Sequence, residues 1–327
     1  MARAQGVVSA MRTAFMGSLL LLVACADSGT PQCAVGADCA SGACRADGTC
    51  VPADDGFVPT SDGAVDMSGP MIDGAAADAG VTDGMVAPID GGGLCVPSRD
   101  GIIQREEIPL RAGLRATFRV ATDVSFDTAG TAIDGGDRRR WDMSGSFSGD
   151  GDVLVETRDP SGEWYADDFP GATYVTGLAA DNDLLGVFQV TPTALSLMGV
   201  VSPDDGFDRT NLENDPAVPA LRFPLELGDS WTTDTDVAGT AAGFVSVYDE
   251  TYESEVDRAG ELITPFGTFE VLRVRTELTR VVGLVTTRLV SFAFVSECFG
   301  TVATVRGNDN DTGAELSMAA ELRRLVP

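Results

Sequence analysis

The sequence predicts an all-β fold: an antiparallel β-sandwich or curved half-barrel domain, preceded by a disordered tether. Three observations predict it. Apolar and polar residues alternate with period two through 114–126, 141–148 and 315–323, the pattern of strands with one buried face. The intervening runs carry Gly, Asp, Asn and Pro at turn positions, as at 134–137, 150–152 and 308–311, residues that favour tight turns. No segment keeps a helical period over three turns, and only 181–185 and 208–214 suit a short turn of helix.

The elements are justified in chain order. Arg3 and Arg12 are the only charges before residue 25, and an apolar run leads from Ala14 through Leu19–Leu22 to Ala24. That run is about half of the roughly 20 residues a membrane span needs, so 1–24 reads as a signal peptide. It ends in Leu22-Val23-Ala24-Cys25, which resembles the lipobox of bacterial lipoproteins. The resemblance implies cleavage before Cys25, lipid attachment to its sulfur and an exported, lipid-anchored N-terminus over 25–32. Ala26 follows the cysteine where inner-membrane retention would use aspartate, so the outer membrane is favoured over the inner.

The chain has seven cysteines. Assigning Cys25 to lipid leaves six, and an oxidising compartment makes disulfides the default. Cys33, Cys39, Cys44 and Cys50 lie close together, while Cys95 and Cys298 are far apart in sequence. The 33–50 stretch resembles the short cysteine modules of myxobacterial lipoproteins, and interlocked Cys33–Cys44 and Cys39–Cys50 bonds are the favoured pairing among three. A Cys95–Cys298 bond would tie the tether exit to the sheet. Residues 51–93 repeat Asp-Gly at 55, 62, 73, 83 and 90 and hold no basic residue. Such a composition buries too little to offset ordering entropy, so a disordered acidic linker is expected.

Within 94–327, further strands are expected at 153–158, 185–191, 194–201, 230–237, 244–256, 269–282, 284–297 and 301–306, in one domain or, alternatively, two packed halves of about 94–215 and 216–327. Trp141-Asp142-Met143-Ser144-Gly145, 168–172 and 194–199 follow the order of an uncharacterised β-rich module of secreted bacterial proteins. Leu221 to Trp231, then Thr264-Pro265-Phe266-Gly267-Thr268-Phe269, resembles the DUF3108 group of envelope proteins with a curved antiparallel sheet. Neither resemblance carries a catalytic motif. The second implies a concave sheet able to cup an acyl chain, with Leu272, Val274, Leu278, Phe292 and Phe294 as its lining.

Composition excludes much chemistry. All 22 basic residues are arginine, histidine is absent, and the net charge is −28. Imidazole metal ligands, Ser-His-Asp and Cys-His catalysis, and lysine Schiff-base or P-loop chemistry are therefore out. The acidic surface repels phosphate backbones, so no nucleic-acid partner is expected. Paired carboxylates remain for a glycan hydrolase, from Asp142, Asp167, Asp168, Glu250, Glu253 and Glu255. Calcium could use Asp204, Asp205 and Asp208, or Asp309 and Asp311; no other metal or cofactor is expected. The expected role is a non-catalytic binding or structural one in a lipid-anchored cell-envelope protein. The partner is the membrane through its lipid, and a protein, glycan or lipid ligand. The alternatives are the acyl carrier and the hydrolase.

Overall fold

Alternation of side chains across a pleat lets a strand bury one face and wet the other, and long alternating runs dominate this chain. The computed structural model describes residues 95–133, 135–180 and 182–327. The expected signal peptide, Cys25, the module cysteines Cys33, Cys39, Cys44 and Cys50, and the tether lie outside the described residues. The strands are β1 (Ile102–Ile103), β2 (Arg115–Ser125), β3 (Thr131–Ala132), β4 (Arg139–Asp142), β5 (Gly151–Glu156), β6 (Tyr174–Gly177), β7 (Leu185–Val190) and β8 (Ala194–Val201). They continue with β9 (Asn211–Arg222), β10 (Leu225–Glu226), β11 (Ser230–Ala241), β12 (Phe244–Ile263), β13 (Thr268–Val282), β14 (Val285–Ser296), β15 (Gly300–Arg306) and β16 (Met318–Leu325). Among the described residues the helical content is two 3-10 turns, Arg105–Glu107 and Ala166–Asp168.

Twelve strands form one antiparallel path, β5-β2-β16-β15-β14-β13-β12-β11-β9-β8-β7-β6. Its two ends meet: Arg158, just beyond β5, exchanges backbone hydrogen bonds of 2.8 and 2.9 Å with Val175 of β6. The sheet is therefore a nearly closed barrel, which leaves little unpaired edge along its wall. The expected curved all-β domain is what the structure contains.

The inward face is identified by contacts across the barrel. Tyr174 of β6, Leu195 of β8 and Leu221 of β9 share one buried cluster with Trp231 of β11, Val256 of β12, Leu272 and Val274 of β13, and Val295 of β14. Ile103 and Ile108 enter the same cluster from the N-terminal segment and plug that end. The plug is held by pairing of β1 with β10, by a 2.7 Å bond from the Cys298 N–H to the Glu107 carbonyl, and by the Cys95–Cys298 disulfide. A bond closing a loop of 203 residues contributes about 5 kcal/mol in the chain-entropy model.

Two segments cover the outer face. Residues 159–173 bring Tyr165 and Phe169 onto Val175, Val187 and Val201. Residues 126–150 bring Phe126, Trp141 and Met143 onto Phe292, Phe294, Ala303, Val305 and Leu322. Two fully buried arginines fasten the second strap. Arg273 binds Asp257 and Glu315 in bidentate fashion at 2.6–2.9 Å, donates to the Thr128 carbonyl, and lies over Phe292. Arg324 donates to the Met143 and Gly145 carbonyls and to Asp150. A bulge in β12 between Val256 and Arg258 leaves Asp257 as the extra residue and aims it at Arg273. β4 lies parallel to the end of β12, with Arg139 opposite Gly260. A Cβ at Gly260 would stand 1.9 Å from the Arg139 carbonyl oxygen, so this contact requires glycine.

Several expectations are corrected. Residues 208–214 hold no helical turn: Asn211 begins the twelve-residue strand β9. β9 also crosses the expected boundary at 215–216 and joins β8 to β11, so the sheet is continuous there. The alternation at 141–148 ends as a strand after Asp142, because Arg324 takes the carbonyls that a ladder would use.

Candidate functional site

Strand direction sorts the barrel into two ends. The β7–β8, β9–β11, β12–β13 and β14–β15 connections lie at the plugged end, with Cys95. The β6–β7, β8–β9, β11–β12, β13–β14 and β15–β16 connections form the opposite rim. Eleven residue steps at 3.3 Å make β14, which runs from one end to the other, about 36 Å long.

The inward face becomes polar toward the rim. Thr233 and Thr235 of β11 stand opposite Tyr252 and Glu250 of β12. Glu250 is buried, and both its oxygens are engaged: Tyr252 donates its hydroxyl at 2.7 Å and Arg280 of β13 donates Nε at 2.6 Å. The Arg280 guanidinium lies 5.2 Å from the Tyr248 ring centre. Burial, then the Glu250 charge and hydrogen bond, push the Tyr252 hydroxyl well above the usual phenol range. Tyr252 is therefore a neutral donor and the cluster is a satisfied Arg–Glu–Tyr unit.

The rim carries apolar side chains in solvent. Phe207 sits in the β8–β9 loop, Phe244, Val245 and Val247 at the start of β12, and Leu284 and Val285 at the β13–β14 turn; all are exposed. Ala242 and Gly243 both take positive φ, 48° and 79°, as a two-residue hairpin turn with the right twist demands. Gly243 also lies under the Phe207 carbonyl, which a Cβ would approach to 2.4 Å. The β8–β9 and β11–β12 loops are joined by bonds from Gly243 N–H to the Arg209 carbonyl and from Ala242 N–H to Thr210 Oγ1.

The structure pairs Cys95 with Cys298. It does not gather the five expected acyl-lining residues. Leu272, Val274 and Leu278 share the inward parity of β13, whereas Phe292 and Phe294 pair with Arg275 and Arg273 on the outer face. Phe294 is packed edge-on against Trp141 at 5.0 Å. Leu272 and Val274 belong to the core inside the barrel and Phe292 and Phe294 to the core outside it, while Leu278 is part-buried. Two open clefts of about 460 and 370 Å³ have polar-rich linings, the first including Arg306, Asn308 and Asp309, the second Glu255, Arg258, Arg275 and Glu315.

The calcium candidates lie at two separate turns. Asp205 binds Arg209 at 2.7 Å and Asp311 accepts the Asn308 N–H, while Asp204, Asp208 and Asp309 are exposed. Among the described residues no three carboxylates or thiols form a metal-holding group. The hydrolase candidates are also dispersed. Asp142 caps Ser144, Asp168 accepts from Asn211, Asp167 is exposed, and Glu253 and Glu255 point away from inward Glu250. The carboxyls with a resolved shift, Asp142, Asp150, Asp152, Asp159 and Glu315, are all held below the usual range. A glycosidase acid needs the reverse. In the one run of three arginines, 138–140, Arg138 and Arg140 are engaged by Glu270 and Glu261. The apolar rim escaped the sequence reading, although apolar residues beside glycine at turn centres, as at 282–284, were its signal.

No family model matches the chain, and no curated protein matches it. One solved structure is similar: a candidate lipoprotein from Parabacteroides distasonis, 12% identical, covering 66% of this chain and 95% of its own, with a TM-score of 0.25. Neither sequence resemblance of the domain is carried further by these comparisons.

Proposed function

We propose that the chain is a lipid-anchored cell-envelope protein whose barrel is a non-catalytic binding module working from its open rim. The observation that carries this reading is the polarity of the barrel. The N-terminal segment is fastened at the plugged end through Cys95–Cys298, and exposed apolar side chains concentrate at the other end, about 36 Å away along the strands. Large exposed apolar patches on soluble proteins mark interaction sites. The lipobox-like Leu22-Val23-Ala24-Cys25 supplies the anchor, with the outer membrane favoured by Ala26. Two or more acyl chains would hold the protein stably where one is marginal. The satisfied Glu250 cluster and the lowered carboxyls support binding over catalysis.

Cell fractionation of the Cys25→Ser variant tests the anchor. The variant is expected in the soluble envelope fraction, with the unaltered protein in membranes. Retention of the variant in membranes overturns the lipid-anchor reading.

A further inference from the structure

The β11–β12 hairpin overshoots β13. Its last rung with β13 is Asp249↔Val281, whereas pairing with β9 runs up to the turn, ending at Thr240↔Asn211. Residues 244–248, Phe-Val-Ser-Val-Tyr, pair with β11 on one side; the ladder on the other side stops at Asp249. Around a two-residue turn, the flanking pair Ala241↔Phe244 is the hydrogen-bonded one, and bonding then alternates. Phe244, Ser246 and Tyr248 spend their backbone groups on β11. Val245 and Val247 direct theirs to the open edge. This edge has no charge, proline or bulge, the devices that normally blunt an exposed strand.

We propose that this edge accepts an extended segment of a partner polypeptide as an added strand, one in which basic and apolar residues alternate. The proposal rests on the binding-module reading and specifies its partner. Main-chain bonds to Val245 and Val247 supply affinity, and alternate side chains supply selectivity. The apolar side chains of the partner meet Phe244, Leu284, Val285 and Phe207. Leu284 and Phe207 are fully exposed, and Phe244, Val245, Val247 and Val285 are each at least 65% exposed. Charge selects the rest. Asp183, Asp204, Asp208, Asp249 and Asp309 stand exposed around the rim, while Arg209 there is engaged by Asp205. A second copy of this acidic rim, or an anionic lipid surface, is repelled, and a basic strand is attracted.

The test uses the full chain carrying Cys25→Ser and two fluorescent seven-residue peptides, one alternating arginine with valine and one alternating glutamate with valine. Anisotropy is expected to show saturable binding of the arginine peptide, at least tenfold tighter than the glutamate peptide and weakening with salt. Val247→Pro removes one outward N–H and keeps the rungs to β11, so it is expected to weaken binding at least tenfold. Asp249→Arg with Asp208→Arg leaves the backbone intact and is expected to reverse the peptide preference, which keeps the test decisive if the proline variant misfolds. Equal binding of both peptides, no binding, or full binding by Val247→Pro overturns strand addition. Concentration-dependent dimerisation abolished by Val247→Pro, or sedimentation with phosphatidylcholine vesicles abolished by Leu284→Ser, overturns the basic, alternating partner. Failure of the peptide assay leaves the anchored binding module standing; that reading falls on the fractionation result, a separate measurement.

Discussion

Arg273 shows why a chain with 22 arginines and no lysine can still bury cations. All five guanidinium donors are used: two on Asp257, two on Glu315 and one on the Thr128 carbonyl. Its face also meets Trp141 and Phe292 at 5.4 and 4.5 Å. A lysine offers three donors from a point, so the planar fork, more than the charge, is what this site uses. Removing it would strip two donors each from Asp257 and Glu315, whose side chains are only 11% and 27% exposed, and leave the Thr128 carbonyl with the Trp141 Nε1–H alone. Arg273→Met is therefore expected to destabilise the domain by about 3–5 kcal/mol, read as a lower midpoint in urea unfolding. Arg273→Lys should recover less than half of that loss. Full recovery by lysine would show that charge alone suffices.

At the scale of elements, the 126–150 strap depends on carboxylates that titrate low. Burial pushes Glu315 and Asp150 up. The Arg273 and Thr128 hydrogen bonds with the Arg273 and Arg258 charges overcome this at Glu315, and Arg324, the Phe147 N–H and Arg119 do so at Asp150. Both folded values lie below the unfolded ones, so the unfolded chain binds protons first as pH falls. The stabilisation is present in full above the ordinary carboxylate range, near pH 4, and is lost as pH drops through the lowered folded values. Urea midpoints are expected to be flat from pH 7 to about 5 and to fall below about 4, with less fall in Arg273→Met. An unchanged midpoint at pH 3 would remove these pairs from the account. The same strap shows how far the sequence was legible. The bounds of β2, β7, β8, β13, β14 and β15 lie within one residue of those expected, because apolar residues recur through each run. β9 did not read as a strand because Asn214, Asp215, Pro216 and Pro219 break its apolar pattern. The strap read as a strand because its buried residues alternate, although arginines and not a neighbouring strand satisfy its carbonyls. The candidate lining failed for a related reason: β13 and β14 bury both faces, so apolarity there could not say which face lines a cavity.

For the whole molecule, the disulfide fastens the N-terminal plug to the barrel. The plug of Ile103 and Ile108 is held by a two-residue pairing, the Cys298–Glu107 backbone bond and the Cys95–Cys298 bridge. The barrel wall, by contrast, is hydrogen-bonded around nearly its full circumference. Loss of the bridge should therefore act locally before it acts globally. In Cys95→Ser with Cys298→Ser, global stability is expected to fall by up to about 5 kcal/mol. Hydrogen exchange is expected to lose protection first at 102–110, with β13 and β14 still protected under native conditions. Uniform loss along the chain would mean that the plug is part of the barrel's cooperative unit. The distinction bears on the proposed anchored role, because a pull applied at residue 95 would load the bridge and the β14–β15 turn directly. The path then runs along β14 to the rim, so a partner held at 244–248 and an anchor at the other end would stretch the wall along its strands. Antiparallel rungs perpendicular to that pull share the load in shear, which suits a domain held at one end and engaged at the other.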